Sequence, residues 1–121
     1  MGLNNSASAK PFLAVQVNVH RLLYNLQQAE YVISHDTGLM HIASCFDIPT
    51  VSVWGNTVPA LGMYSYFPEK PDQYSIHEVL NLKCRPCSKI GHQSCPKKHF
   101  NCMEFQDIEK IVKDVLNRMG N

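Results

Sequence analysis

The spacing of apolar residues predicts an α/β arrangement in the first half of the chain. Leu22, Leu23, Leu26 and Ala29 recur at intervals that place them on one face of a helix. Short apolar runs rich in β-branched residues follow and predict strands, and Pro49 ends the second helix. The predicted order is helix, strand, helix and strand, over His20–Ala29, Tyr31–Ser34, Leu39–Phe46 and Thr50–Trp54.

The second half of the chain is predicted to be rich in loops and to end in a helix. Glycine and proline residues without helical periodicity predict a long loop over 55–75, and Ser75–Leu80 predicts a short edge strand. A cysteine-rich loop follows over 83–103. The last helix is predicted over 105–119, with Gly120 at its C′ position. Its apolar face comprises Phe105, Ile108, Ile111, Val112, Val115, Leu116 and Met119.

The beginning of the chain bears on domain organisation and compartment. Residues 1–10 are polar and are expected to form a disordered leader, while the alternating valines of Pro11–Val19 predict a strand. One domain is therefore expected over 11–121. The polar start lacks the apolar core of a secretion signal, and the chain has five cysteines. These two features favour a reducing, cytoplasmic location.

Composition and charge exclude some classes of protein. With 45% apolar and 17% charged residues among 121, the chain has the composition of a folded domain. The net charge of +1 gives no reason to expect nucleic acid as a partner. No apolar stretch approaches the roughly 18 residues that a membrane-spanning helix needs.

The predicted strands place two turns at one edge of the sheet. Right-handed crossovers bring the carboxyl ends of parallel strands to the same edge, where ligands of such sheets bind. We therefore expect His35–Gly38 and Gly55–Pro59 to lie side by side.

The first of these turns leads into a helix and has the features of a phosphate cradle. A helix N-terminus carries unpaired N–H groups and a partial positive charge, which favour an anion. Thr37 adds a hydroxyl donor, Gly38 permits close approach, and His41 lies one turn further on. The backbone donors would be those of Thr37, Gly38, Leu39 and Met40. The alternative is that Asp36 or Thr37 caps the helix and His41 is a hydrogen-bonded core residue.

The cysteine-rich loop contains a second set of candidate residues. The thiols of Cys84, Cys87, Cys95 and Cys102 follow a spacing of two, seven and six intervening residues, with His92 and His99 between them. A C-x2-C pair with two further thiols is compatible with a tetrahedral zinc site. Reduced structural thiols and disulfides are the alternatives that the spacing leaves open.

The same loop contains basic residues and no acidic ones. Arg85, Lys89, Lys97 and Lys98 are interpreted as a solvated face, or as a patch for an acidic acceptor or a membrane surface.

Two separate motifs carry a resemblance to a known family. The sequence VISHDTGLMHIAS at 32–44, followed by a proline-led strand and Trp54-Gly55-Asn56-Thr57, resembles glycosyltransferase family 9. This family includes the ADP-heptose:lipopolysaccharide heptosyltransferases. The second motif is Cys84-Arg85-Pro86-Cys87, with Cys95-Pro96, His99 and Cys102-Met103 after it. The resemblance runs from about Leu22 to the end of the chain.

The resemblance implies a fold and a donor site. In this family two Rossmann-like domains face each other in the GT-B arrangement, and the C-terminal one holds the nucleotide-sugar. The chain would then be a partial C-terminal domain, a parallel sheet with flanking helices. Thr37, Gly38 and Leu39 would contact the donor diphosphate through their backbones. Asp36 would hold hydroxyls of the sugar and His41 would lie beside the phosphates, with Gly55 and Thr57 in the neighbouring loop.

The resemblance also implies a reaction and its partners. The family transfers the sugar with inversion, requires no metal for transfer, and carries its general base in the N-terminal domain, which this chain does not contain. No catalytic residue is therefore expected here, and the chain alone should be inactive. The acceptor would be an acidic lipid-linked saccharide such as lipopolysaccharide core, at the inner face of the cytoplasmic membrane. The competing hypotheses are a non-catalytic zinc module and a degenerate remnant without a ligand.

Overall fold

The structure, a computed structural model, describes residues 18–119. The predicted leader, most of the predicted strand at Pro11–Val19, and Gly120 lie outside these residues, whereas Val19 begins the first helix. The helices and strands are α1 (Val19–Gln27), β1 (Val32–His35), α2 (Gly38–Cys45), β2 (Thr50–Trp54), β3 (Tyr74–Glu78), α3 (Asn101–Glu104) and α4 (Ile108–Met119). Single 3-10 turns occur at Pro59–Leu61 and Pro71–Gln73.

The sheet is parallel and has the order β1-β2-β3, which confirms the predicted α/β fold class. Its register aligns Ile33 with Val51, and Val51 with Ser75. The central strand β2 is the most buried of the three, and its Val51 and Trp54 have no exposed surface. The bounds of β2 agree with the prediction, and β3 starts and ends earlier than the predicted Ser75–Leu80.

The hydrophobic core under β1 and β2 is formed by α1 and α2. The side chain of Asn18 accepts a hydrogen bond from the N–H of Arg21 at 2.9 Å and so caps α1. Leu26 of α1, Val32 of β1 and Ala43 of α2 are buried together with Ile48. Phe46, one of the residues considered for the inward face of α2, is instead 40% exposed at its C-cap.

A polar network attaches α4 to β3 on the opposite face of the sheet from α2. The carboxylate of Asp114 accepts hydrogen bonds from the hydroxyl of Ser75 and from Nε2 of His77, the latter at 2.7 Å. Arg118 Nε donates to the other carboxylate oxygen of Asp114 at 3.1 Å. Burial alone would raise the pKa of Asp114, but the hydrogen bonds from Ser75, His77 and Arg118 outweigh it and lower that pKa.

The last helix differs from its predicted range of 105–119. The chain leaves the helical conformation between α3 and α4, and α4 begins at Ile108. The side chain of Asp107 accepts a hydrogen bond from the N–H of Lys110 at 2.9 Å, as an N-cap residue does. Phe105, predicted to face inward, is 63% exposed. In α4, no residue is fully buried, and the exposed apolar side chains are Ile108, Val112, Leu116 and Met119.

Among residues 18–119, none of the helices has the length and apolar character needed to cross a membrane.

We expect Asp114→Asn to lower the free energy of unfolding by about 2 kcal/mol at pH 7, because it weakens hydrogen bonds to a charged carboxylate. Since the pKa of Asp114 is lowered in the folded state, its contribution is present at neutral pH and is lost as the pH falls through that pKa. Urea unfolding of both proteins between pH 7 and pH 2 would measure the difference.

The matched control is Asp47→Asn, which weakens the exposed ion pair with Lys70 and should cost less. A difference for Asp114→Asn that stays constant down to the lowest pH would contradict this assignment.

Candidate functional site

The carboxyl ends of β1 and β2 lie side by side, as predicted, and a hydrogen bond joins them. The hydroxyl of Thr57 donates to Oδ2 of Asp36 at 2.8 Å across the two turns. Thr57 is buried, and Asp36 is half-buried. The two polar residues predicted for this edge are therefore in direct contact.

The N-terminus of α2 opens directly beside this contact. Thr37 is its N-cap residue, and the hydroxyl of Thr37 makes no capping bond but lies 3.2 Å from the hydroxyl of Ser34. A Cβ atom placed on Gly38 would meet nothing within 4 Å, so the space beside this residue is open. The first N–H groups of a helix have no acceptor within the helix, and those of α2 point toward this open side.

The remaining residues predicted for the cradle differ in their surroundings. His41 is exposed one turn into α2, so the alternative of a core histidine does not hold. Leu39 packs against the hydrophobic core. Met40 has a completely buried side chain, and its N–H already donates to the carbonyl of Thr37 at 3.1 Å. The structure therefore corrects the prediction that Met40 offers an unpaired donor.

Gly55 has a packing reason to be glycine. A Cβ atom at this position would lie 2.8 Å from Sδ of Met103 and 3.9 Å from Sγ of Cys102. The loop after β2 is thus pressed against α3 on the side away from α2.

Arg85 is a residue of this site whose place the sequence did not predict. It was interpreted as part of a solvated basic face, but its side chain is only 5% exposed. Its Nε donates to the carbonyl of Gly55 at 2.6 Å, and Nη2 donates to the carbonyl of Thr57 at 2.8 Å. Nη1 donates to the carbonyl of Val79, and Nη2 also pairs with Glu78 at 3.0 Å.

A second set of contacts joins the same loop to the cysteine-rich segment. The N–H of Cys87 donates to the carbonyl of Asn56 at 2.9 Å. The side-chain amide of Asn56 donates to the carbonyl of His92 at 2.7 Å. Gly91 has a φ of +77°, and a Cβ atom there would lie 2.5 Å from Oδ1 of Asn56, so both conformation and space require glycine.

The four thiols predicted as zinc ligands occupy different environments. Sγ of Cys84 lies 3.9 Å from Nε2 of His99, and Sγ of Cys87 lies 3.4 Å from the carbonyl of Cys84. Cys102 is buried. In the part of the chain that the structure describes, no group of three or more ligand-type side chains is placed to hold a metal ion. The zinc site stays a prediction.

The surroundings of these thiols shift their pKa values in opposite directions. Burial raises the pKa of Cys87 and of Cys102, and neighbouring thiolates raise both further. The backbone N–H of Phe100, 3.4 Å from Sγ of Cys95, lowers the pKa of Cys95, with further help from the N–H groups of residues 97–99. Cys95 is therefore the thiol most readily ionised among these three.

Comparison with known proteins shows the family. The family model for glycosyltransferase family 9 (heptosyltransferase) matches residues 5–99, which is most of the chain. The chain belongs to glycosyltransferase family 9. The match begins well before Leu22, where the sequence resemblance was expected to start, and it ends before α4. The three-stranded parallel sheet with helices on both faces is consistent with part of a GT-B glycosyltransferase domain.

Two curated relatives of this family 9 chain are heptosyltransferases. Lipooligosaccharide heptosyltransferase 2 of Campylobacter jejuni subsp. jejuni serotype O:6 is 27% identical over 103 residues, covering 85% of this chain and 30% of the relative. The serotype O:2 protein of the same name is 26% identical over 111 residues, covering 90% of this chain and 32% of the relative. The chain thus spans about a third of the length of these relatives. No solved structure matches it significantly.

In this family 9 chain we expect iodoacetamide to alkylate Cys95 before Cys87 and Cys102. The pKa of Cys95 is lowered, so its thiolate forms at a lower pH than that of an ordinary cysteine, whereas Cys87 and Cys102 ionise at a higher pH. Peptide mapping of chelator-treated protein between pH 6 and pH 10 would give the order.

Cys95→Ser is expected to remove the fastest phase, and initial labelling at Cys102 would contradict the assignment. Repeating the reaction without chelator also tests for zinc, because bound metal would protect the thiols until the chelator is added.

Proposed function

We propose that this chain forms the donor-binding part of a heptosyltransferase-type glycosyltransferase. The observation that carries the proposal is the hydrogen bond between Thr57 and Asp36 beside the open N-terminus of α2. It joins a carboxylate and an anion-favouring helix terminus at the edge of a parallel sheet where ligands bind. The family and the names of the relatives favour a nucleotide-activated heptose as the donor.

In this proposal the helix terminus binds the diphosphate of the donor. Phosphate oxygens accept hydrogen bonds from the backbone N–H groups of Thr37, Gly38 and Leu39, and the partial positive charge of α2 stabilises them. The open space beside Gly38 supports this position, since the ligand approaches the backbone there without meeting a side chain. The exposed ring of His41 is one turn away and supplies a further N–H donor.

Asp36 is proposed to bind hydroxyl groups of the donor sugar. The hydroxyl of Thr57 uses one acceptor position of the carboxylate, and an ionised carboxylate has further positions on both oxygens. The contact with Thr57 also fixes the direction of the side chain. A sugar whose diphosphate lies at α2 would then meet a preoriented acceptor group.

The proposed transfer proceeds with inversion and requires no metal ion. A general base outside this chain removes the proton of the acceptor hydroxyl, whose oxygen attacks the anomeric carbon. The bond from that carbon to the phosphate oxygen breaks, and its electron pair leaves with the diphosphate. The N–H groups and dipole of α2 stabilise the departing charge, as preoriented donors do in other transfer reactions.

The acceptor and location remain part of the same proposal. Lys89, Lys97 and Lys98 are exposed and form a basic surface in a segment without acidic residues. Such a surface suits an acidic lipid-linked saccharide at the inner face of the cytoplasmic membrane.

Gly38→Val is expected to weaken ADP binding by at least about tenfold, because the added side chain fills the space through which the phosphate approaches. In the free protein the first added carbon meets nothing within 4 Å, so the melting temperature should change little. Isothermal titration calorimetry with ADP, together with thermal melting, would measure both.

Cys45→Val at the exposed far end of α2 is the matched control and should bind ADP as the parent does. A folded Gly38→Val protein with unchanged ADP affinity would place the phosphate site elsewhere.

We expect the 121-residue chain to bind a nucleotide-sugar without transferring the sugar, because the general base is proposed to lie outside it. Incubation with ADP-heptose and a lipopolysaccharide-core acceptor, followed by mass spectrometry of the acceptor, would check this. Product that depends on the chain and disappears with Gly38→Val would show that the chain carries a complete catalytic site.

A further inference from the structure

The guanidinium group of Arg85 is held almost entirely by oxygen atoms from two neighbouring strand ends. Its contacts are the carbonyl groups of Gly55 and Thr57 after β2, and the carbonyl of Val79 and carboxylate of Glu78 at the end of β3. Burying such a charge is unfavourable unless it is paired and hydrogen-bonded, and these four contacts provide both. The end of β3 thereby fixes the position of the loop after β2.

Thr57 carries this arrangement to the proposed donor site. Its carbonyl accepts from Arg85, and its hydroxyl donates to Asp36 at 2.8 Å. The main chain of Thr57 is therefore fixed from one side while its side chain fixes Asp36 on the other. A displacement of this loop would move the hydroxyl away from the carboxylate.

We infer that Arg85 is a positioning residue of the donor site. It holds Gly55–Thr57 so that the Thr57 hydroxyl keeps Asp36 beside the N-terminus of α2, ready for the sugar hydroxyls of the donor. This inference rests on the proposed function. Arg85 itself touches no part of the proposed ligand, because its side chain is buried behind the loop.

The geometry requires arginine at this position. A planar guanidinium donates in several fixed directions at once, here to two carbonyl groups of the same loop that are two residues apart. Lysine keeps the charge beside Glu78 but presents a single ammonium group, so it cannot reproduce both contacts. Arg85→Lys therefore separates the positioning effect from the loss of charge.

The test compares the binding of two probes, ADP and ADP-heptose, to the full chain by calorimetry. The diphosphate of both meets α2, but only ADP-heptose offers sugar hydroxyls to Asp36. We expect Arg85→Lys to reduce the preference for ADP-heptose over ADP by about tenfold, the value of roughly one hydrogen bond to a charged group. The affinity for ADP should change much less.

Two further variants distinguish positioning from general stability. Thr57→Val keeps the shape of the side chain but removes its hydroxyl, so it should reduce the preference as Arg85→Lys does, and the double variant should add little more. Arg118→Lys is the matched control, because Arg118 also hydrogen-bonds a carboxylate and a carbonyl, those of Asp114 and Asp72, near the other end of β3. It should leave the preference unchanged.

Each outcome decides between the hypotheses. An unchanged preference in Arg85→Lys would overturn the inference while the proposed function stands. Equal losses of affinity for both probes, in step with melting temperature as in Arg118→Lys, would show a structural role only and would also overturn it. A parent chain that binds neither probe would overturn the proposed function, and the inference would fall with it.

Discussion

The carbonyl groups at the end of β2 are the feature on which the rest of this edge depends. Four successive carbonyls, those of residues 54–57, all accept hydrogen bonds from the segment that follows β3. The donors are, in order, Gln106 Nε2, Arg85 Nε, the N–H of Cys87 and Arg85 Nη2. Buried backbone carbonyls without partners are unfavourable, so this row requires a matching row of donors. The segment at 85–106 supplies them.

This row explains why a segment with little regular structure can still define a site. Between β3 and α3 the chain has neither helix nor strand, and its larger apolar side chains, such as Leu80 and Ile90, are exposed. Apolar burial therefore contributes little to its position, and the hydrogen bonds to the β2 loop contribute most. The two motifs of the chain, separate in sequence, are in this way parts of one structure.

The parts that the sequence predicted depend on local patterns and on a general rule of topology. The strand β2 is bounded by Pro49 and Gly55, which stop neighbouring elements from extending into it, so its bounds were predictable. The meeting of Asp36 with Thr57 follows from the rule that parallel strands end at one edge. Neither prediction needed knowledge of which distant residues are in contact.

The parts that the sequence did not predict depend on contacts between distant residues. Arg85 lies in a basic stretch that resembles a solvated surface, and its loop partners lie 28 and 30 residues away. The break before α4 occurs where Gln106 turns its buried side chain to the carbonyl of Trp54, 52 residues away, although the apolar periodicity continues through Phe105. Both residues donate to the same row of carbonyls after β2. The need to satisfy that row therefore overrode the local pattern at both places, and only the folded arrangement reveals it.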